Sequence, residues 1–424
     1  MNRIYPFLVL MLTAGFLQTS VVVAQTVGNT PCGQEREVES QLMTPEMFER
    51  LSDAFELIGE EQYSEAYQDL LDLRDRRLND TEKATVEQAL GFSAAQMERY
   101  DQAISHMREA IRLDVLPDNQ HFEMILQVAQ LLHLVEQYDE ALLQLDYWFC
   151  VSTEDAQKFA EVWVLKASLH IQQEDYPEAL TAIDQAIEIS EDPEEAWYRV
   201  KLGMHLELKQ YSPAVDVLKI LIQMDSNRKD YWMQLAGSYL ELNDNQEAMA
   251  ALRLAYRKNL LDRSSEFLQL AGLLQEQDSP RQAAEVMQDG LRRGIIEATS
   301  RNWEMAAGAW FEAREMDESL AAYERAGELS DSGRIDFQRA SILTNLEDWP
   351  NVIDSASRAL EKGGLTDSQV GNAHLLVGMA QFNEGDLDAA ESAFQQAQNY
   401  DRVADAASEW INHIGSTRQR IARN

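Results

Sequence analysis

Trp232-Met-Gln-Leu235-Ala236-Gly-Ser-Tyr239, followed by Ala248, Leu252 and Ala255, is the stretch that decides the fold. Its apolar residues fall three and four apart, the spacing of one face of an α-helix. A small residue stands late in the first segment and another early in the second. Two such helices can bring their axes close at the small positions and fill the rest of the seam with large apolar side chains. The second small residue returns along the chain as Ala66, Ala103, Ala141, Ala179, Ala214, Ala248, Ala283, Ser319, Val352 and Ala390, every 33 to 38 residues. Tyr63, Tyr100, Tyr138, Tyr176 and Tyr211 precede the first five by three residues. A constant period in this range marks stacked helical units. Such an array offers a surface to partners rather than a reaction centre.

The quoted stretch resembles one unit of the tetratricopeptide (TPR) family. Trp303, Ala306-Ala307 and Trp310 with Ser319, Tyr323 and Ala326 resemble another. Leu90-Gly91, Tyr100, Ala103, Met107 and Ala110 resemble a third, and Gly378, Ala390, Phe394 and Ala397 a fourth. The resemblance implies an all-α superhelical solenoid of about ten helix-turn-helix units over 44–400. A capping helix and basic tail follow over 401–424, with Val403, Ala407, Trp410 and Ile414 in one stripe. Thr44-Pro45 starts the first helix as N-cap and first helical residue. Repeats three, seven and nine depart from the pattern. Repeat nine has Val352 at the small position and Asp336 where an aromatic is usual.

Ahead of the repeats, residues 1–24 read as a secretory signal peptide. Arg3 is the one charge, Phe7 to Phe16 is apolar, and Val22-Val23-Ala24 supplies a small-residue cleavage site before Gln25. The alternative is an uncleaved anchor, which Gln18, Thr19 and Ser20 interrupt. Export implies a periplasmic, oxidising setting. An extended lead-in over 25–43 carries Cys32, and the only other cysteine is Cys150. Twelve extended residues reach up to roughly 40 Å, enough to run back past three repeats, so a Cys32–Cys150 disulfide is feasible. The alternative is two unpaired thiols.

The 424 residues carry 36 basic and 73 acidic side chains, a net charge of -37. Nucleic acid and anionic membrane surfaces would be repelled. Such a charge fits a solvated acidic face, a basic partner, or both. No GxGxxG, no GxxxxGK followed by Ser or Thr, and no GxSxG motif is present. The seven histidines are scattered, so neither a metal site nor a cofactor is expected, and the chain is not expected to be an enzyme.

In the TPR register, the position after the small residue of each first helix faces the concave side. It reads Phe55, Phe92, Gln130, Ser168, Gly203, Gly237, Gly272, Gly308, Ser341 and Met379. Four successive glycines form either a smooth channel floor for an extended peptide or contacts that allow tight curvature. Glu207, Glu241, Glu276 and Glu312 follow them at corresponding positions, suggesting a groove for a basic or amine-bearing segment. In the first repeats the groove positions are apolar: Phe48, Leu51, Phe55, Ile58 and Phe92. They anchor an apolar segment of a partner unless the lead-in folds back over them. The Lys and Asn of a carboxylate-clamp groove are missing.

The chain as a whole also resembles exported TPR proteins found with TonB–ExbB–ExbD systems of gammaproteobacteria. That resemblance implies an interaction scaffold for envelope proteins, accessory to energy transduction and iron-chelate import. A TPR scaffold for envelope or exopolysaccharide assembly is the alternative.

Overall fold

The computed structural model describes residues 27–421 apart from 29, 35, 154 and 155; the stretch 1–24, expected from sequence to be a signal peptide, lies outside the described residues. Among those residues there are 21 α-helices, one short 3-10 turn at Ala156–Lys158, and no strand. Twenty of the helices form ten consecutive pairs. The first unit contains α1 (Pro45–Gly59) with α2 (Tyr63–Arg74), α3 (Asp80–Gln96) with α4 (Tyr100–Leu113), and α5 (Asp118–Leu134) with α6 (Tyr138–Val151). It continues with α7 (Ala160–Gln172), α8 (Tyr176–Ile189), α9 (Glu195–Glu207) and α10 (Tyr211–Met224). The second contains α11 (Lys229–Glu241) with α12 (Asn245–Arg257), α13 (Ser264–Glu276) with α14 (Pro280–Arg292), and α15 (Ser300–Glu312) with α16 (Met316–Glu328). It ends with α17 (Arg334–Asn345), α18 (Trp349–Lys362), α19 (Asp367–Asn383), α20 (Leu387–Ala397) and the unpaired α21 (Ala404–Ile421). The two compact units divide after Leu221, near the end of α10.

The recurring small residue explains the pairing. All ten residues, from Ala66 to Ala390, are fully buried. Every second helix of a pair starts three residues before its own, at Tyr63, Tyr100, Tyr138, Tyr176, Tyr211, Asn245, Pro280, Met316, Trp349 and Leu387. Where serine replaces alanine, the Ser319 hydroxyl donates to the Ala307 carbonyl at 2.9 Å, which satisfies a polar group taken out of water. Each first helix closes the same way. The N–H of Gln62, Arg99, Gln137, Asp175, Gln210, Asp244, Ser279, Glu315, Asp348 or Asp386 donates to the carbonyl five residues back, at 2.7–3.1 Å. This is the six-to-one bond of a Schellman ending, which turns the chain sharply through one left-handed residue. Glycine supplies that residue only at Gly385; elsewhere it is a side-chain-bearing residue such as Glu98 or Asn243, both at φ 59°.

In the first unit the lead-in runs back along the ends of the repeats. The Thr44 N–H and hydroxyl both donate to the buried Glu82 carboxylate at 2.8 Å. Gln41 N–H reaches Thr81 Oγ1 at 2.8 Å, and Asn79 Nδ2 reaches the Leu42 carbonyl at 3.1 Å. Farther back, the Arg36 side chain is 2% exposed and pairs with Asp114 at 2.7 Å and Asp118 at 2.5 Å. Cys32 is bonded to Cys150, the penultimate residue of α6, with the Cα atoms 5.0 Å apart. The lead-in therefore follows the edge formed by the connections between repeats. It does not fold over the first groove, where Phe48, Phe55 and Phe92 remain 65, 47 and 38% exposed.

In the second unit α21 closes the last pair. Val403, Ala407 and Ile414 are buried, and the Trp410 ring stacks on Phe394 with centroids 5.4 Å apart. Arg418 pairs with Asp388 and Glu391 on α20. Repeat nine replaces its missing aromatic with charge. Asp336 is buried and is held by Lys362 at 2.7 Å and Arg358 at 3.4 Å.

Candidate interaction surfaces

Two surfaces carry the residues singled out from sequence. The first lies among α1, α3 and α5. Phe55, Ile58, Ala89, Phe92, Leu116 and Met124 line a cleft of about 630 Å³, with Thr81, Gln88, Gln120 and Glu123 among its polar residues. Phe92 meets Tyr63 edge to face, ring centroids 6.3 Å apart. The structure brings Phe55, Ile58 and Phe92 together. Phe48 stays exposed outside that lining, and Leu51 is a core residue packed with Met47, Ala54 and Tyr67 rather than a groove residue. Phe48, Leu51 and Phe55 share one broad helix face, and Leu51 occupies its inward edge.

The second set is the glycine and glutamate register, with Gly203 and Glu207 in the first unit and the other three pairs in the second. An added Cβ at Gly203, Gly237, Gly272 or Gly308 would meet nothing within 4 Å, so none of these glycines is a packing contact. Glycines that do serve packing look different. A Cβ at Gly378 would lie 2.6 Å from the Phe394 ring, and one at Gly91 2.6 Å from Met107. The small residue before each open glycine is buried in the second unit, at Ala236, Ala271 and Ala307. Neighbouring positions of one helix are thus split between core and open surface.

Glu207, Glu241, Glu276 and Glu312 each follow their glycine by four residues, one turn along the same face, and each is the last residue of its helix. All four are exposed. None forms an ion pair among the described residues; Glu276 accepts a hydrogen bond from Asn245 Nδ2 at 3.0 Å. A carboxylate at a helix C-terminus faces the negative end of the macrodipole, which disfavours it by about 0.3–1 kcal/mol. Six of the ten second helices follow the favourable rule, with Arg74, Arg112, Arg257, Arg292, Arg325 and Lys362 in their last turns. No first helix has Lys or Arg there.

Among the described residues no group of three His, Cys, Asp or Glu side chains is placed to hold a metal ion. No described helix is long and apolar enough to cross a membrane. The most perturbed histidine is structural. Burial, and next the Arg36 guanidinium, push His121 down to about 4, against the opposing pull of Asp114 and Asp118. Sequence reasoning missed one feature of the first unit, an apolar opening between α5 and α7 beside Phe159. The eight residues between α6 and α7, the longest connection between repeats, were its signal.

The tetratricopeptide repeat family matches residues 88–114, 160–193, 229–257 and 371–403, together less than a third of the chain. No curated protein matches. Several solved structures are similar at low identity. A tetratricopeptide repeat protein from Parabacteroides merdae is 13% identical, with 63% of this chain and 99% of that one covered and a TM-score of 0.37. The yeast Sti1 TPR2AB domain, solved as a pHSP90 complex, is 15% identical, with 60% and 96% covered and a TM-score of 0.32. YrrB, described as a TPR protein with an unusual peptide-binding site, is 14% identical, with 47% and 91% covered and a TM-score of 0.31. Likeness at this level carries nothing about partners. The chain is an all-α solenoid built of tetratricopeptide repeats, with family matches in both compact units.

Proposed function

We propose that this protein is a non-catalytic, exported scaffold that binds an extended basic segment of an envelope protein. The observation that supports this most is the charge placement in the second unit. Among the described residues Glu241, Glu276 and Glu312 pair with no cation, at helix ends that disfavour them, each one turn from a glycine whose Cβ position is open. An extended main chain can approach glycine more closely than any other residue, and the carboxylates supply charge-assisted acceptors for Lys or Arg. The periplasmic setting is supported by the signal-like residues 1–24 and is compatible with the Cys32–Cys150 bond. A narrower role, accessory to TonB-dependent energy transduction or iron-chelate import, rests on the sequence resemblance.

The test uses an extended lysine-containing peptide titrated against the oxidised protein at two salt concentrations. Glu241→Lys with Glu276→Lys should weaken binding by about tenfold and flatten its salt dependence, with unfolding stability held or slightly raised. Unchanged affinity would remove the ladder from the reading. Fractionation and crosslinking from the native envelope then identify the partner. Exposed Phe48, Phe55 and Phe92 favour the alternative of glycan or assembly-enzyme binding. Saturation-transfer signals from envelope polysaccharide, lost in Phe55→Ala with Phe92→Ala, would establish that reading instead.

A further inference from the structure

The opening between α5 and α7 forms a second cleft of about 650 Å³ in the first unit. Phe122, Leu126, Trp148, Val162 and Leu165 make its apolar lining. Trp148 belongs to α6, so the cleft reaches past the first-helix layer into the second. Its indole Nε1–H is buried without a hydrogen-bond partner, a costly state for a donor. Phe159, the residue before α7, lines the cleft with 60% of its surface exposed. The rim is acidic: Asp118, Glu123 and Glu161. Asp118 already has a cation, because the lead-in places Arg36 against it at 2.5 Å and over the Phe122 ring at 5.8 Å. Glu123 and Glu161 have none among the described residues, the nearest polar contact of Glu123 being Gln127 Nε2 at 3.3 Å.

We propose that this cleft docks a short linear segment of a partner protein, with an aromatic or branched aliphatic side chain entering beside Phe159 and an adjacent Lys or Arg meeting Glu123 and Glu161. The argument is complementarity of two kinds. An exposed Phe beside an apolar cleft gives an anchor its contact area. The rim's two unpaired carboxylates ask for the same group that Arg36 already brings to the third. The Cys32–Cys150 bond and Arg36 fix one wall, so the site is preorganised and its binding entropy cost is low. The inference shares with the scaffold reading only the idea of a protein partner; the residues are separate from the glutamate ladder.

A phage-displayed random heptapeptide library panned on the oxidised full chain tests it. Enriched sequences should pair an aromatic or branched aliphatic residue with Lys or Arg. The synthesised peptides should bind about tenfold more weakly to Phe159→Ala and to Glu123→Gln with Glu161→Gln, yet normally to Glu241→Lys. Phe159 is exposed, so its variant should fold, and circular dichroism checks this. Four outcomes overturn the proposal. Enriched peptides that ignore Phe159→Ala show that the cleft is idle. Panning that enriches peptides on a chain beginning at Gln25 but none on the full chain shows that residues 1–24 are the occupant. A dimer that Phe159→Ala converts to monomer shows that a second copy is. Loss of binding in Glu241→Lys alone would refute this site while leaving the scaffold reading in place.

Discussion

Replacing Gly237, Gly272 and Gly308 together by alanine should make the second unit more stable while weakening the proposed peptide binding. Each glycine sits within a helix of 13 residues, four positions before its end. Helix-interior glycine costs about 0.5–1 kcal/mol relative to alanine, from backbone entropy lost on folding. That gain is realised only where the new methyl has room, and at these sites a Cβ meets nothing within 4 Å. The sites lie one repeat apart, so their effects should add, to about 1.5–3 kcal/mol. For a unit of this size that is a rise of roughly 3–12 °C in melting temperature. Thermal and urea unfolding of the triple variant measures it. Gly378→Ala is the internal control, since its methyl would lie 2.6 Å from Phe394 and should destabilise by about 1–3 kcal/mol. If the triple variant is less stable than the parent, these glycines are packing contacts and the open-floor reasoning fails. If it is more stable and still binds the basic peptide normally, the glycines are not the floor.

Two further outcomes concern the first unit. Cys150→Ser should leave helix content unchanged and lower stability by up to about 4–5 kcal/mol, the chain-entropy figure for a bond spanning 118 residues. It should also expose Arg36 to trypsin; cleavage there at the parent rate would show that the bond does not hold the lead-in. His121 sets an acid response. Its folded form titrates near 4 and its unfolded form near 6.5, so its contribution is complete above pH 6.5 and declines as pH falls towards 4. Glu109, held down to about 2 first by the Arg112 hydrogen bond and also by Lys83, is stabilising above 4.5 and loses that only as pH falls from there towards 2. Between pH 6.5 and 4.5, His121→Gln should therefore flatten the fall in unfolding free energy; an unchanged slope would assign the response to another group.

The repeat was legible because each unit spends one position on a small buried residue, and Tyr63 through Tyr211 mark helix starts three residues ahead of it. The left-handed turns were not legible. Glu98 and Asn243 adopt them because the N–H of the next residue, Arg99 or Asp244, donates to the carbonyl five residues before it and fixes the geometry, without a glycine to announce it. The substitution of Asp336 for an aromatic was visible, but its compensation by Lys362 and Arg358 comes from another helix. The course of the lead-in depends on Arg36 finding Asp114 and Asp118, residues about eighty positions away. Of the candidate site, the common register of the glycines was legible, whereas which way a Cβ would point required the packed helices. Leu51 was misplaced for the same reason, since periodicity gives a face but not its inward edge.

The two helices of each pair have divided their tasks, and charge shows it more plainly than shape. Second helices place Arg or Lys at their C-terminal ends in six repeats, as stability alone would favour. First helices never do, and four in succession end on glutamate. With 73 acidic residues, glutamate at a helix end is not surprising once. Its return at one register position, beside an open glycine each time and without a cation, means that every such unit forgoes a few tenths of a kcal/mol that a lysine would supply. A chain that keeps favourable cations on one helix of the pair has the means to place them on the other. Within the second unit their absence leaves Glu241, Glu276 and Glu312 with no cation among the described residues, at helix ends that disfavour them. Local rules are broken most often where a molecule meets its partner. On that ground we place the proposed basic segment on the first-helix face of the second unit, rather than against second-helix ends that already carry Arg257, Arg292 and Arg325.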